Sequence, residues 1–225
     1  MNKPARAQRS DGEATRSRIL AAAGELFATQ GYAETSNKAI AELAQVDLAS
    51  INYHFGNRGG LYQAVLAHAH GSLLDVGALQ QLVGSAMPPA SKLRVLTEQL
   101  VLRATQEPQA WQLRVLAREI LAPSSHLKIL LQDEALPKIL LLRGLLSQVS
   151  GIPAEDPALT RCLLNVLAPC LMLLVGGRDF PGPMQELFQM PAQATADHLY
   201  CFALGGLEAV SKAYGYPALP VQTAD

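Results

Sequence analysis

The sequence predicts an all-α protein with an N-terminal three-helix DNA-binding part and a larger C-terminal helical part for ligand sensing and dimerisation. Three observations predict it. Apolar residues recur at helical spacing along most of the chain. Almost no segment alternates with period two among β-branched residues, so no strand is expected. The composition, 49% hydrophobic but only 5% aromatic and rich in Leu and Ala, suits helices better than sheets. At 225 residues the chain is long enough for two modest domains with real cores. The division expected is a disordered basic arm over 1–13, a helix-turn-helix domain over 14–70 and a C-terminal domain over 71–225.

Residues 1–13 are polar, with Lys3, Arg6 and Arg9, and read as a free terminus; the sharper alternative is an arm touching phosphates. The first helix is expected over 14–30, with Ile19, Leu20, Ala23, Leu26 and Phe27 on one face and Gly31 as its stop. A short helix follows over 35–44, capped by Thr35 or Ser36, with Ile40, Leu43 and Ala44 turned inward. Gln45-Val46-Asp47 breaks it, and Asp47 is a second N-cap. The next helix, 48–54, buries Ile51 and Phe55.

Two short helices about a three-residue turn match a helix-turn-helix, whose second helix can enter the major groove of DNA. An ordinary helical hairpin is the plainer alternative. Against it stands the outward face of the second helix: small, amide, hydroxyl and aromatic groups, with no acid after the cap. Asn52 can bond bidentately to adenine, and Leu48 or Ala49 can touch a thymine methyl. Leu48, Ala49, Ser50 and Asn52 are therefore expected to face bases. Thr35, Ser36, Asn37 and Lys38, at the start of the preceding helix, are expected at phosphate, Lys38 above all. Tyr53, His54 and Arg58 complete the phosphate set.

Residues 15–69 resemble the DNA-binding domain of the TetR family of bacterial transcriptional repressors. The resemblance rests on TRSRILAAAGELFATQGY, the T-S-x-x-x-I-A helix start, the INYHFGNR ending and the L-Y-x-A-V-L that follows. The run INYHFGNRGGLYQAVLAHAH looks closest to members with a CerR-type C-terminal domain. Two departures stand out. Gln45 occupies a turn position where the family usually has Gly, and Gly59-Gly60 replaces a charged helix-starting pair, which is expected to loosen entry to the next helix.

That next helix is expected over 60–83, carrying Leu61, Val65, Leu66, Leu73 and Val76 inward and acting as a rigid connector. GSAMPPA, 84–90, reads as a linker. Further helices are expected over 91–106, started by a capping Ser91; over 108–121; over 124–150, broken or kinked at Pro137; over 157–175, apolar nearly all round; and over 191–214, after a loop at 176–190. The last has Ala196, Leu199, Tyr200, Ala203, Leu207 and Val210 on one face. The helices at 157–175 and 191–214 are expected to pair with their symmetry mates in a homodimer, since two-fold dimers place two recognition helices about 34 Å apart on a palindrome.

The resemblance implies a C-terminal ligand sensor. Polar and aromatic groups in otherwise apolar helices are the candidates: Trp111, Arg114, Arg118, Asn165 and His198. An Arg in an apolar pocket would suit an anionic or carbonyl-bearing ligand. Equally, Arg114 and Arg118 could face water or pair with Glu119 and Glu107, and His198 could be an interface residue. The expected function is a cytoplasmic, ligand-responsive regulator that represses by occupying a palindromic operator on double-stranded DNA and is released by a small molecule of unknown identity. No cofactor, metal, catalytic group or membrane partner is expected. An activator on the same scaffold is the alternative.

Charge neither supports nor opposes DNA binding: seven Lys/Arg against six Asp/Glu through His70, eleven against thirteen thereafter. The apolar run 162–175, interrupted by Asn165 and Pro169, is expected to be too short to cross a bilayer. An enzyme is disfavoured: His68 and His70 point roughly 200° apart on a helix, and no nucleophile elbow or phosphate loop is present. Cys162, Cys170 and Cys201 read as reduced core residues. A redox sensor built on Cys162 and Cys170 would need sulfurs about two turns, ~11 Å, apart to meet.

Overall fold

A computed structural model describes residues 5–105, 110–176, 182 and 184–216. Its helices are α1 Ala5–Gln30, α2 Asn37–Ala44, α3 Leu48–Phe55, α4 Arg58–Leu73, α5 Val76–Gly84, α6 Pro89–Ala104, α7 Trp111–Leu121, α8 Leu127–Leu130, α9 Leu136–Ser150, α10 Pro157–Gly176, α11 Met184–Gln189 and α12 Ala192–Ala213. A π-turn, Leu131–Ala135, joins α8 to α9, and no strand occurs among the described residues. The chain divides into two compact units: Met1–Ser72 with Trp111–Leu131, and Leu73–Ala110 with Gln132–Asp225. The first unit is thus not a simple 14–70 segment, because α7 packs against α1.

In the first unit, Ile19, Ala23 and Phe27 of α1, Ile40 of α2, Ile51 of α3 and Leu61 and Val65 of α4 are fully buried. Leu43 is not: it lies on the side of α2 left uncovered and is mostly exposed. Residues 5–13, expected as part of a disordered arm, continue α1. Their Ala, Arg, Gln and Glu content favours helix, and no proline interrupts it after Pro4; Lys3 lies outside the described residues. Gly31 ends α1 at φ 88°.

The expected connector over 60–83 is two helices. Asp75 Oδ1 accepts from the Ala78 N–H at 2.8 Å and starts α5 afresh, so the chain breaks at Leu74-Asp75. Ser91 is not a cap either, because α6 begins at Pro89 in its first turn. The expected 108–121 helix is described from Trp111 onward. The 124–150 segment breaks as expected near Pro137, where the π-turn accommodates a residue without an N–H.

The second unit has a Leu-rich core: Leu79, Leu93, Leu96, Leu142, Leu145, Leu146, Ile152 and Leu159. A smaller cluster joins Val101 and Ala104 to Leu173, Phe188 and Ala196. Arg94 locks α6 to α12, pairing with Asp197 at 2.8 Å and lying 4.1 Å over the Tyr200 ring. Helix α10 is longer than expected, and its window Pro157–Leu174, mean hydropathy 1.6, is long and apolar enough to cross a membrane by length and composition. Ala158, Leu159, Cys162, Leu163, Leu173 and Leu174 of that window are buried within the unit, as in a core helix.

Candidate nucleic-acid interface

The two short helices are set by their caps. Ser36 Oγ accepts from the Ala39 N–H at 3.1 Å, and Asp47 Oδ1 accepts from both the Ser50 N–H and the Ser50 hydroxyl at 2.7 Å. Those two bonds, the hydroxyl first, hold the Asp47 carboxyl below its ordinary value of 3.8. Between the helices Gln45 takes the left-handed conformation, φ 53° and ψ 51°. Its N–H and that of Val46 reach back to carbonyls of α2, closing the turn in the manner glycine usually does.

With Ile51 fully buried, α3 turns its other side outward: Leu48, Ala49, Asn52 and Tyr53 are exposed, Tyr53 by 85%, and Ser50 and His54 are half-buried. Ser50 is partly engaged by Asp47, which leaves Asn52 as the exposed amide on that face. Phe55, expected in the core, is only half-buried, and the Arg16 guanidinium lies 5.1 Å from its ring. Arg16, exposed on α1 beside the end of α3, is a cation the sequence reading missed. The signal was the T-R-S-R opening of the first motif stretch.

Several expected phosphate contacts are otherwise engaged. Thr35 is 1% exposed, and its hydroxyl donates to the carbonyls of Gly31 at 2.7 Å and Leu26 at 3.3 Å, fastening the α1–α2 loop. The Arg58 guanidinium donates to the carbonyls of Tyr32 and Ala33 and lies 4.4 Å over the Tyr32 ring, so it pins that same loop rather than standing free for phosphate. Asn37 is half-buried, with a buried Oδ1 that lacks a partner among the described residues. Lys38 is exposed, 3.9 Å from Glu42, and Ser36 is exposed while capping.

Gly60 does not loosen the entry to α4. A Cβ there would lie 2.2 Å from the Phe55 carbonyl oxygen, so only glycine permits this approach, while Asn57 Oδ1 accepts from the Gly60 N–H. Behind the motif, Tyr62 donates to Glu119 Oε2 at 2.7 Å, and the other Glu119 oxygen accepts from the Ser124 N–H and hydroxyl. Burial first, then Glu119, pushes the Tyr62 phenol far up, which keeps it a donor.

The expected ligand-pocket residues do not gather. Trp111 stacks on His68 at 5.7 Å and presses against Gly24. Arg114 pairs with Glu25 at 2.7 Å, and Arg118 donates to the carbonyls of Ala28 and Thr29. All three serve to fix α7 on α1 within the first unit. Neither arginine bonds Glu119, which is taken by Tyr62 and Ser124. Asn165 is exposed on α10; His198 alone of the five lines a cavity, between α10, α11 and α12. The cysteines are not all core: Cys162 is buried, Cys170 half-buried and Cys201 exposed. Burial raises the Cys162 thiol and pushes Cys170 to about 11, which lowers their reactive thiolate fraction.

A capped helix pair presenting an acid-free amide and aromatic face on a small helical unit defines a helix-turn-helix DNA-binding protein. Residues 19–65 match the family described as bacterial regulatory proteins, tetR family. Residues 89–207, more than half the chain, match the C-terminal domain of the HTH-type transcriptional dual regulator CecR, which corrects the subgroup label CerR. The chain belongs to the TetR family of transcriptional regulators. It is 38% identical over 65 residues to the HTH-type transcriptional regulator TtgR of Pseudomonas putida, a match covering 29% of this chain and only 31% of that one. The fold is similar to the fatty acid degradation regulator FadR of Bacillus halodurans, with a TM-score of 0.66 at 16% identity over 86% of this chain and 96% of that one. It is likewise similar to FadR of Bacillus subtilis in complex with stearoyl-CoA, with a TM-score of 0.65 at 16% identity over 84% and 98%.

Proposed function

We propose that the protein is a cytoplasmic, ligand-responsive repressor that binds a palindromic operator as a homodimer. The observation that carries the DNA reading is the outward α3 face, with Asn52 as base reader flanked by Leu48 and Ala49. Lys38, Ser36, Tyr53 and Arg16 border that face as phosphate contacts. One such module binds non-specific DNA only at about 10⁻⁴–10⁻⁶ M, and duplication on a two-fold axis supplies the missing affinity. Support for duplication comes from the second unit, where α10 exposes Leu164 (65%), Leu171 and Met172 and α12 exposes Phe202 (72%). Apolar side chains of that size left in water are an interface signature.

Release follows if a ligand favours a conformation in which the operator is bound less tightly; a coupling of about 1–3 kcal/mol changes operator affinity roughly 5- to 150-fold. The chain passes between the units at 72/73, 110/111 and 131/132, the last within the π-turn, so three joints are available to carry the change. An activator on the same scaffold is the second reading, favoured by the description of the matched C-terminal domain as that of a dual regulator. Selection of genomic fragments by the purified chain tests the proposal. Recovery of one inverted repeat upstream of a gene, with transcription rising when the protein is deleted, supports repression; falling transcription supports activation. Fragments without a common motif overturn both.

A further inference from the structure

The described part of the second unit holds a cavity of about 470 Å³, lined by Pro169, Met172 and Leu173 of α10, Leu187 of α11, Met190, and Ala194, Thr195, His198 and Leu199 of α12. That volume lies within the ~300–1,000 Å³ of ordinary small-molecule sites. Its wall is hydrocarbon and thioether apart from one hydroxyl and one imidazole, and it includes no Lys, Arg, Asp or Glu. Thr195 is 7% exposed, and its Oγ1 has no hydrogen-bond partner among the described residues. A helical threonine commonly returns its hydroxyl to the carbonyl four residues back, as Thr97 and Thr105 do here. Thr195 does not, which leaves a buried polar atom whose desolvation nothing in the fold offsets.

We propose that this cavity binds an uncharged, largely hydrocarbon ligand bearing one hydrogen-bonding oxygen that meets Thr195, and that it is the effector site. The effector role rests on the regulator reading above; the binding does not. The chemistry sets the class. A carboxylate or phosphate entering here would lose its hydration without a fixed cation to replace it. The hydrocarbon wall accepts chains and rings of many shapes, and Met172 and Met190 adapt to them. The hydroxyl both donates and accepts, so an alcohol, ketone or ester oxygen satisfies it.

The experiment uses the full chain without DNA. Diphenylhexatriene, a hydrocarbon that fluoresces in apolar surroundings, is the probe, and decanol and decanoyl-coenzyme A are competitors. Wild-type protein takes up the probe saturably, and decanol displaces it more tightly than decanoyl-coenzyme A. Thr195→Val, which keeps the shape and removes the hydroxyl, binds the probe as wild type does but decanol about tenfold more weakly, the order of one lost hydrogen bond. Ala194→Trp, at the exposed rim, cuts probe uptake about tenfold or more while its circular dichroism stays that of wild type. Three results overturn the proposal: no probe uptake, as when a second copy seals the cavity; decanol affinity unchanged in Thr195→Val; or decanoyl-coenzyme A displacing at least as tightly as decanol. A failure of DNA binding moves none of these readouts, and their failure leaves DNA selection untouched.

Discussion

Lys38 and Arg58 are both basic residues of the DNA-binding motif, yet they do different work. Lys38 stands in water beside Glu42, whereas Arg58 spends its guanidinium on the carbonyls of residues 32 and 33 and on the Tyr32 ring. Lys38→Ala should therefore weaken binding to all duplexes alike and flatten the salt slope by about one unit. Arg58→Ala should instead lower thermal stability by about 1–3 kcal/mol, through the loss of charge-assisted bonds, and leave the salt slope of the folded fraction unchanged. Titrations at several salt concentrations alongside thermal melts separate the two; a reduced slope for the Arg58 variant would restore it as a phosphate anchor. Asn52→Ala should relax preference at a single operator position by about 1–3 kcal/mol without altering the salt slope. Thr35, Arg58, Arg114 and Arg118 were not legible as structural residues because their partners lie 4 to 90 residues away in sequence. Ser36 and Asp47 were legible as caps because theirs lie three residues on.

Helix α3 and the turn before it carry a cost that can be measured. Gln45 is a non-glycine residue in a left-handed conformation, which disfavours it by about 1 kcal/mol. Gln45→Gly should raise the melting temperature while leaving the selected DNA motif unchanged; a fall in melting temperature would mean the side chain contributes more than the strain removes. Asp47 supplies a pH dependence. Its carboxyl is held low in the folded state, so its contribution is complete above 3.8 and fades as pH falls through the lower folded value. Asp47→Asn preserves an N-cap without that titration. Melting temperatures followed from neutral pH down through the carboxylate range should converge for the two proteins as the wild-type cap is lost. Parallel curves would remove Asp47 as the source. Element existence was readable from apolar spacing, but continuity was not. The break at Asp75 and the π-turn before Pro137 depend on a cap bond and on a missing N–H, neither of which alters the apolar pattern around it.

At the level of the assembled protein, two copies are required for the proposed affinity, and the exposed apolar faces of α10 and α12 are where they are expected to meet. Phe202→Glu should place a charge in that face, lower the light-scattering mass from two chains to one at micromolar concentration, and weaken operator binding more than non-specific binding. A mass of one chain for the wild type contradicts the dimer directly. The division into units also shows where sequence reasoning stops. The segment 111–131 belongs with the DNA-binding unit because Trp111, Arg114, Arg118 and Glu119 find partners on α1 and α4. Spaced on one helix in isolation, the same four side chains look like a ligand site. The measurement closest to the central claim is competition between the selected duplex and a scrambled one of equal composition, for wild type and Asn52→Ala at moderate salt. The account predicts a preference of about 10³-fold or more for wild type, partly lost in the variant through one base position, with scrambled-duplex affinity unchanged. Equal affinity of the wild type for both duplexes would contradict it.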